Sequence, residues 1–205
     1  MKVGIIGGTG AMGTGLAAGL SKGHEVRIGS RDAGRARAST EKLPGVKGGT
    51  DIEVARWCEA GIVAVPFSAI GELGELADPL SGKLVISMIN PIRRVGGLLE
   101  YAAGDGSAAE SVAAVLKKSR VATAFNNVPA SFFKKEVREL VDVLVAADSR
   151  SAYDEAAVLV RGISHLRPLY VGPLKEARLV ERLTVMVLNA AKLNGGSGYS
   201  VKFVS

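Results

Sequence analysis

A chain of 205 residues suits one α/β domain, with or without a helical extension, and 47% hydrophobic residues is ample for a core. Aromatics make up only 5%, which fits a sheet packed with Val, Ile, Leu and Ala rather than an aromatic-rich sandwich. The net charge of +6 is scattered, its densest cluster being Arg31, Arg35 and Arg37, so neither the basic stripe nor the stacking aromatics of a nucleic-acid binder is present. An anionic small ligand accounts for that charge. The single cysteine, Cys58, excludes an intramolecular disulfide and any cysteine-rich metal site; no metal is expected. Met1 runs directly into an apolar strand without a leader pattern, and no apolar run approaches the ~20 residues of a membrane span. A cytoplasmic location, with no membrane or nucleic-acid partner, is therefore expected.

In chain order, residues 2–6 predict a buried strand, 7–13 a glycine-rich turn, and 11–22 a helix ended by Gly23. A strand at 25–28, a helix at 32–43 and a short strand at 46–48 follow. Asp51 is the expected N-cap of a helix running to 59. The apolar run 62–65, closed by Pro66, predicts a strand, 70–76 a helix and 84–87 another strand. Residues 90–106, rich in glycine, are expected to form an irregular loop near the carboxyl edge of the sheet. Beyond it come a helix at 108–118, strands at 121–125 and 140–146, a helix at 151–162 and an edge strand at 166–171. The longest helix, 175–193, is apolar on several faces and is expected to be buried, partly against a second subunit. Strands alternating with helices at this spacing imply a Rossmann-type, doubly wound α/β fold with a mostly parallel sheet and a C-terminal helical extension.

Gly8-Thr9-Gly10-Ala11-Met12-Gly13 matches G-x-G-x-x-G. The pattern becomes specific here because it follows a strand and opens a helix. Gly8 is expected to allow the tight turn, Gly10 to let the backbone approach a pyrophosphate, and Gly13 to let the helix pack on the strand. The helix N-terminus offers free N–H groups and a positive dipole end to the phosphates. The end of the second strand reads Gly29-Ser30-Arg31 where an NAD enzyme usually carries an acidic residue for the ribose hydroxyls. Ser30 can donate to a 2′-phosphate, and Arg31 and Arg35, four apart on a helical face, can pair with it. These residues select NADP(H) over NAD(H).

Beside these segments, several others resemble one family: the NADPH-dependent oxidoreductases typified by F420H2:NADP+ oxidoreductase. They are Val65-Pro66-Phe67, Val128-Pro129-Ala130, Leu166-Arg167-Pro168-Leu169, Val171-Gly172-Pro173-Leu174, Ala177-Arg178-Leu179-Val180-Glu181, Leu188-Asn189 and Val201-Lys202-Phe203. The resemblance implies direct hydride transfer between nicotinamide C4 and the deazaflavin C5 of coenzyme F420, stacked in a cleft at the carboxyl edge. It implies that Thr9, Ser30, Arg31 and Arg35 meet the 2′-phosphate side, and that Val65, Pro66, Phe67 and Ala130 lie on the nicotinamide side. Asn90, Pro91, Asn126, Val128, Pro129, Tyr199 and the C-terminal segment would line the F420 side, with Arg94 facing its acidic tail. The chain departs from the archaeal pattern at Asn126-Asn127, Phe132 and Tyr199, all on the acceptor side.

Neither His24 nor His165 is placed for catalysis, and no Ser-His-Asp set is evident. Transfer between two ring cofactors needs no protein base: the cofactors carry the chemistry and the protein aligns them. No catalytic residue is therefore assigned. Residues 1–205 are expected to form a single NADP(H)-binding domain, with 174–205 completing the substrate cleft and a homodimer interface. Two other functions remain open at this point. One is an NADPH-dependent reductase of another flavin, a pterin, an imine or a metal chelate; the other is a non-catalytic NADP(H) sensor.

Overall fold

The computed structural model describes residues 1–133, 139–196 and 198–204. The chain runs β1 (Lys2–Ile6), α1 (Ala11–Leu20), β2 (Glu25–Ser30), α2 (Ala33–Thr40), β3 (Lys47–Thr50), α3 (Asp51–Trp57) and β4 (Ala60–Val63). A 3-10 segment, Phe67–Leu76, leads to β5 (Leu84–Ser87), β6 (Ile92–Val95), β7 (Leu98–Tyr101), α4 (Ala108–Val115) and β8 (Arg120–Thr123). A 3-10 turn, Ala130–Phe133, precedes β9 (Val141–Ala147), α5 (Arg150–Arg161) and β10 (Leu166–Gly172). The 3-10 turn Leu174–Glu176 then opens α6 (Ala177–Leu193).

Eight strands form one sheet in the order β10-β9-β8-β5-β4-β1-β2-β3. From β3 to β8 the pairings are parallel, with Ile5 opposite both Ile28 and Ile62. The chain winds outward from β1 to β3, then returns to β4 on the other side, so the topological switch point lies between β1 and β4. Ligands of open α/β sheets bind at the carboxyl ends of the strands beside that point. β9 pairs antiparallel with β8, and β10 is parallel to β9. Among the described residues between β8 and β9, the 3-10 turn Ala130–Phe133 is the regular element, and the chain re-enters the sheet in the opposite direction.

Side chains alternate across the sheet, so Ile5 and Ile6 enter opposite cores. One core is covered by α1 and α5 through Leu16, Leu20, Leu159 and Val160. The other is covered by α3, the 3-10 segment, α4 and the start of α6 through Val54, Ile70, Val112 and Ala177. Cys58 is a free, buried thiol in the second core, where burial pushes its pKa up. Among the described residues, no helix is long and apolar enough to cross a membrane.

Four expectations change. Residues 92–101, read as loop, form the antiparallel hairpin of β6 and β7, turned by Gly96 and Gly97 at φ +54° and +86°. Two successive positive φ values are what a two-residue hairpin turn of type I′ requires. Residues 70–76 are 3-10 rather than α-helical, in a segment that carries Gly71 and Gly74. The N-cap of α3 is Thr50, not Asp51: Thr50 Oγ1 accepts from Glu53 N–H, and the Glu53 carboxylate accepts from Thr50 N–H. Finally, α6 is amphipathic rather than buried all round: Val180, Thr184, Val187 and Ala191 face inward, while Leu179, Met186 and Leu193 are exposed.

Candidate active site at the carboxyl edge

The glycine turn after β1 is built by close approaches that only glycine permits. Gly7, not Gly8, takes the left-handed conformation, at φ +67°, and a Cβ there would lie 2.5 Å from Val65 Cγ1. Gly8 is required for space instead, since its Cβ would come within 2.5 Å of Ile5 Cγ2. A Cβ on Gly13 would lie 2.3 Å from the Gly8 carbonyl oxygen, so α1 packs directly on the turn. Above Gly10 there is open space: no heavy atom would lie within 4 Å of its Cβ. Gly10 is the N-cap of α1 and supplies no side-chain cap, leaving first-turn N–H groups for an anion. This cradle fits a dinucleotide pyrophosphate.

Two hydrogen bonds tie the ends of β1, β2 and β3 together. Gly8 N–H donates to Gly29 C=O at 3.1 Å, and Gly7 N–H donates to Asp51 Oδ1 at 2.9 Å. A Cβ on Gly29 would lie 2.4 Å from Asp51 Oδ1, so Gly29 is glycine to admit that carboxylate. Burial pushes the Asp51 pKa up, against the Gly7 hydrogen bond and Arg31, which lower it. Sequence reading assigned Asp51 to capping and missed this role. The signal was present in Thr50-Asp51-Ile52-Glu53, whose S/T-x-x-E pattern makes Thr50 the cap and frees Asp51.

At the end of β2, Ser30 is nearly buried and its Oγ accepts from Asp32 N–H at 3.2 Å. Asp32 caps α2 by accepting from Gly34 and Arg35 N–H groups. Its carboxylate is thereby committed to the helix, and Arg35 stands exposed in the first turn. Arg31 reaches across to Glu72 on the 3-10 segment, Nη1 to Oε2 2.8 Å, with both side chains largely exposed. Thr9, Ala11 and Met12 lie on the turn and at the start of α1, and Met12 packs partly on the core.

Val65, Pro66 and Phe67 follow β4, next to β1 in the sheet, and Val65 abuts Gly7. Asn90 and Pro91 follow β5, and Asn126 to Ala130 follow β8, at the same edge. Phe125 turns this last corner at φ +67°, an uncommon conformation for a side chain of its size. Asn126 is buried and spends its carboxamide internally: Thr123 Oγ1 donates to Oδ1 at 2.7 Å, and Nδ2 donates to Ile89 C=O at 3.0 Å. Asn90 Nδ2 donates back to Asn126 C=O at 3.0 Å, locking the two strand ends together. Val128 is a core residue and Pro91 is buried, while Pro129 and Ala130 are half-buried. The turn at Ala130 rests on α1: a Cβ on Gly15 would lie 3.4 Å from Ala130 C=O and 3.2 Å from Phe133 Cβ. α1 and the turn after β8 thus touch at Gly15, which sequence reading passed over.

Tyr199 is exposed and packs on Gly196, while its neighbour Gly198 lies against Pro129. Arg94 stands exposed on the β6–β7 hairpin. The hairpin is held to α6 by Asn189, whose Oδ1 and Nδ2 exchange 2.9 and 2.8 Å bonds with the Leu99 N–H and C=O. Glu181, fully buried on α6, accepts from Ala108 and Ala109 N–H at the start of α4 and from Tyr101 OH. Burial lifts its pKa to about 7 against those hydrogen bonds. Tyr101 Oη also lies 2.7 Å from Gly106 C=O, so its single proton faces two acceptors. A protonated Glu181 resolves the conflict by donating to Tyr101 Oη, which then donates to Gly106. A groove of about 650 Å³ between this hairpin and α6 contains none of the sequence-predicted site residues.

Comparison with known proteins identifies the family. A family model described as NADP oxidoreductase, coenzyme F420-dependent, matches residues 2–91, which include the glycine turn, Ser30, Arg31 and Val65 to Phe67. A protein of Methanothermobacter marburgensis named F420-dependent NADP reductase is 38% identical over 205 aligned residues, covering 92% of each chain. A protein of the same name from Methanothermobacter thermautotrophicus is 37% identical, covering 92% of this chain and 88% of its own. A crystal structure from Arthrobacter sp. FB24, of a candidate F420-dependent NADP-reductase, superposes over 100% of both chains with TM-score 0.88 at 24% identity, which bears on the fold alone. With close relatives aligned over most of their length and the family model lying over the nucleotide cradle, the chain belongs to the coenzyme F420-dependent NADP oxidoreductases.

Proposed function

We propose that this chain transfers a hydride between NADP(H) and coenzyme F420 at the carboxyl edge of the sheet, in the cytoplasm and as a homodimer. The observation that carries the reading is the contact at Gly15, where the helix that cradles the nucleotide meets the turn that follows β8. Gly8 to Gly13 take the pyrophosphate, with Thr9, Ser30, Arg31 and Arg35 on the 2′-phosphate. Val65, Pro66, Phe67 and Ala130 flank the nicotinamide. Asn90, Pro129, Tyr199 and Arg94 form the acceptor side, and the buried Pro91, Val128 and Asn126 support it from beneath. The two bound cofactors supply the redox chemistry. The protein's part is to bring the reacting carbons to roughly 3–3.5 Å and keep them aligned. Following deazaflavin absorbance in a mixture of protein, NADPH and F420 tests the reading; bleaching at the rate of NADPH oxidation supports it.

Residues 1–205 act in this reading as one NADP(H)-binding domain, with 174–205 closing the cleft. The exposed stripe Leu179–Met186–Leu193 is spaced by sevens on α6, which packs against β7 of the hairpin, where Val95 and Leu98 are also exposed. Such a stripe is self-complementary about a two-fold axis. Sedimentation at micromolar concentration should give a dimer, and a monomer there would contradict the assignment.

A further inference from the structure

β9 and β10 run against β8, so their first residues lie at the carboxyl edge of the parallel sheet, beside residues 126–130. Asp142, near the start of β9, has a fully buried side chain. Arg167, its register partner on β10, donates from Nε and Nη2 to Asp142 Oδ1 and Oδ2 at 2.6 and 3.0 Å. A buried carboxylate needs such a bidentate partner. Burial works to raise the Asp142 pKa, but Arg167 and a backbone N–H outweigh it and hold the carboxyl below its ordinary range.

That N–H belongs to Phe203. It donates to Asp142 Oδ2 at 2.5 Å, and Arg167 Nη2 donates to the Phe203 carbonyl at 2.8 Å. Both polar groups of one residue are thus gripped by a single ion pair, in a segment with no regular secondary structure of its own. Between the grip and the turn after β8, Ser200 Oγ donates to Asn127 C=O at 3.3 Å. Gly198 sits so close to the turn that a Cβ there would lie 3.2 Å from Pro129 Cβ. Asn127 closes the circuit by donating to Asp142 C=O at 2.6 Å and accepting from Leu144 N–H at 3.2 Å. The pair joins the segments 166–169 and 201–203, to which hydride transfer itself gives no chemical task.

We propose that Asp142 and Arg167 are positioning residues that clasp residues 198–204 against the Val128-Pro129-Ala130 turn and so hold Tyr199 on the acceptor side of the crevice. The proposal rests on the acceptor-side reading of that turn. It gives a reason for a fully buried carboxylate, paired with a partly exposed arginine, where the antiparallel strand β9 begins beside the site.

The test compares Arg167→Leu, Asp142→Asn and a chain ending at Gly196 with the wild-type protein. Arg167→Leu leaves the buried Asp142 carboxylate without its partner, whereas Asp142→Asn removes the buried charge itself, so an effect common to both reports on the clasp rather than on a stranded charge. Three quantities are read: amide exchange at Phe203, KM for F420 and the NADPH dissociation constant. Exchange at Phe203 should quicken in both point variants. KM for F420 should rise about tenfold, as expected for one lost charge-assisted hydrogen bond, with NADPH affinity within about twofold. In the shortened chain, Arg167→Leu should add nothing further, and Arg167→Lys in the full chain should recover part of the KM. Unchanged exchange shows that there is no clasp. Faster exchange with unchanged KM shows a clasp without a positioning role. An equal effect of Arg167→Leu in the shortened chain shows that Arg167 acts through the sheet; either of these also overturns the proposal. A wild-type protein that binds NADPH but does not reduce F420 fails the acceptor reading and the positioning role together, while exchange at Phe203 still reports separately on the clasp.

Discussion

Arg31→Ala removes the guanidinium that stands at the end of β2, and the structure sets what it should cost. Arg31 is mostly exposed and its partner Glu72 more than half exposed, so their 2.8 Å pair belongs to the class of surface ion pairs worth ~0–1 kcal/mol. A hydrogen bond to a charged group contributes ~1.5–3 kcal/mol, so a 2′-phosphate displaces Glu72 with energy to spare. Losing Arg31 should therefore weaken NADPH roughly ten- to hundredfold. NADH, which offers no charge at that position, should change by less than about twofold. Glu72→Gln should act in the opposite sense and tighten NADPH by no more than about fivefold, the ceiling set by an exposed pair. Fluorescence titration of both cofactors at fixed ionic strength measures all of these. Equal losses for NADPH and NADH in Arg31→Ala would refute the assignment of Arg31 to the 2′-phosphate, and weaker NADPH binding in Glu72→Gln would refute the competition.

Three further predictions follow from the geometry. Gly13→Ala should destabilise by ~1–3 kcal/mol and abolish NADPH binding, because its Cβ would sit 2.3 Å from backbone oxygen; a normal melting temperature with intact binding would contradict the packing. Ala130→Leu should keep NADPH affinity and lose turnover, since added bulk beside Gly15 parts the rings more than it blocks the nucleotide; unchanged turnover would move the acceptor elsewhere. Glu181 has a folded pKa of about 7, above its ordinary value, so the folded state holds the extra proton. Its contribution is complete below about pH 4.5 and declines as pH rises toward 7, by up to roughly 3 kcal/mol. Melting curves from pH 5 to 8 should therefore fall more steeply for the wild type than for Glu181→Gln, and parallel curves would contradict a protonated Glu181.

The first βαβ unit was legible because every local signal agreed. A buried strand, a glycine turn and a helix fall within residues 2–20, and the Ser30-Arg31 strand end follows at its expected distance. The hairpin of β6 and β7 was missed because glycine was read as loop, although Gly96-Gly97 between Ile92-Arg93-Arg94-Val95 and Leu98-Leu99-Glu100-Tyr101 is a two-residue turn signal. The antiparallel entry of β9 left no mark in residues 141–147, which read as a buried strand in either direction. For α6, an apolar count hid the geometry: Leu179, Met186 and Leu193 share one stripe, and the buried residues occupy another. Within the candidate site, the residues proposed to touch ligand are signalled by motif, whereas most of those that shape it are not. Gly15, Asn127 and the Asp142–Arg167 pair act through contacts 15 or more positions apart in the chain, beyond the reach of any local pattern; for Asp51, the Thr50-x-x-Glu53 pattern frees the carboxylate but does not name its distant partner Gly7.

The central claim is that one crevice holds NADP(H) and F420 together for direct hydride transfer. Its most direct measurement is a single-turnover reaction of the protein with stoichiometric NADPH carrying deuterium at both C4 positions and oxidised F420, followed by deazaflavin absorbance and mass spectrometry of the product. The account predicts one equivalent of reduced F420 carrying the label, with none lost to water. Label washed into solvent, or NADPH bound tightly without any reduction of F420, would contradict it.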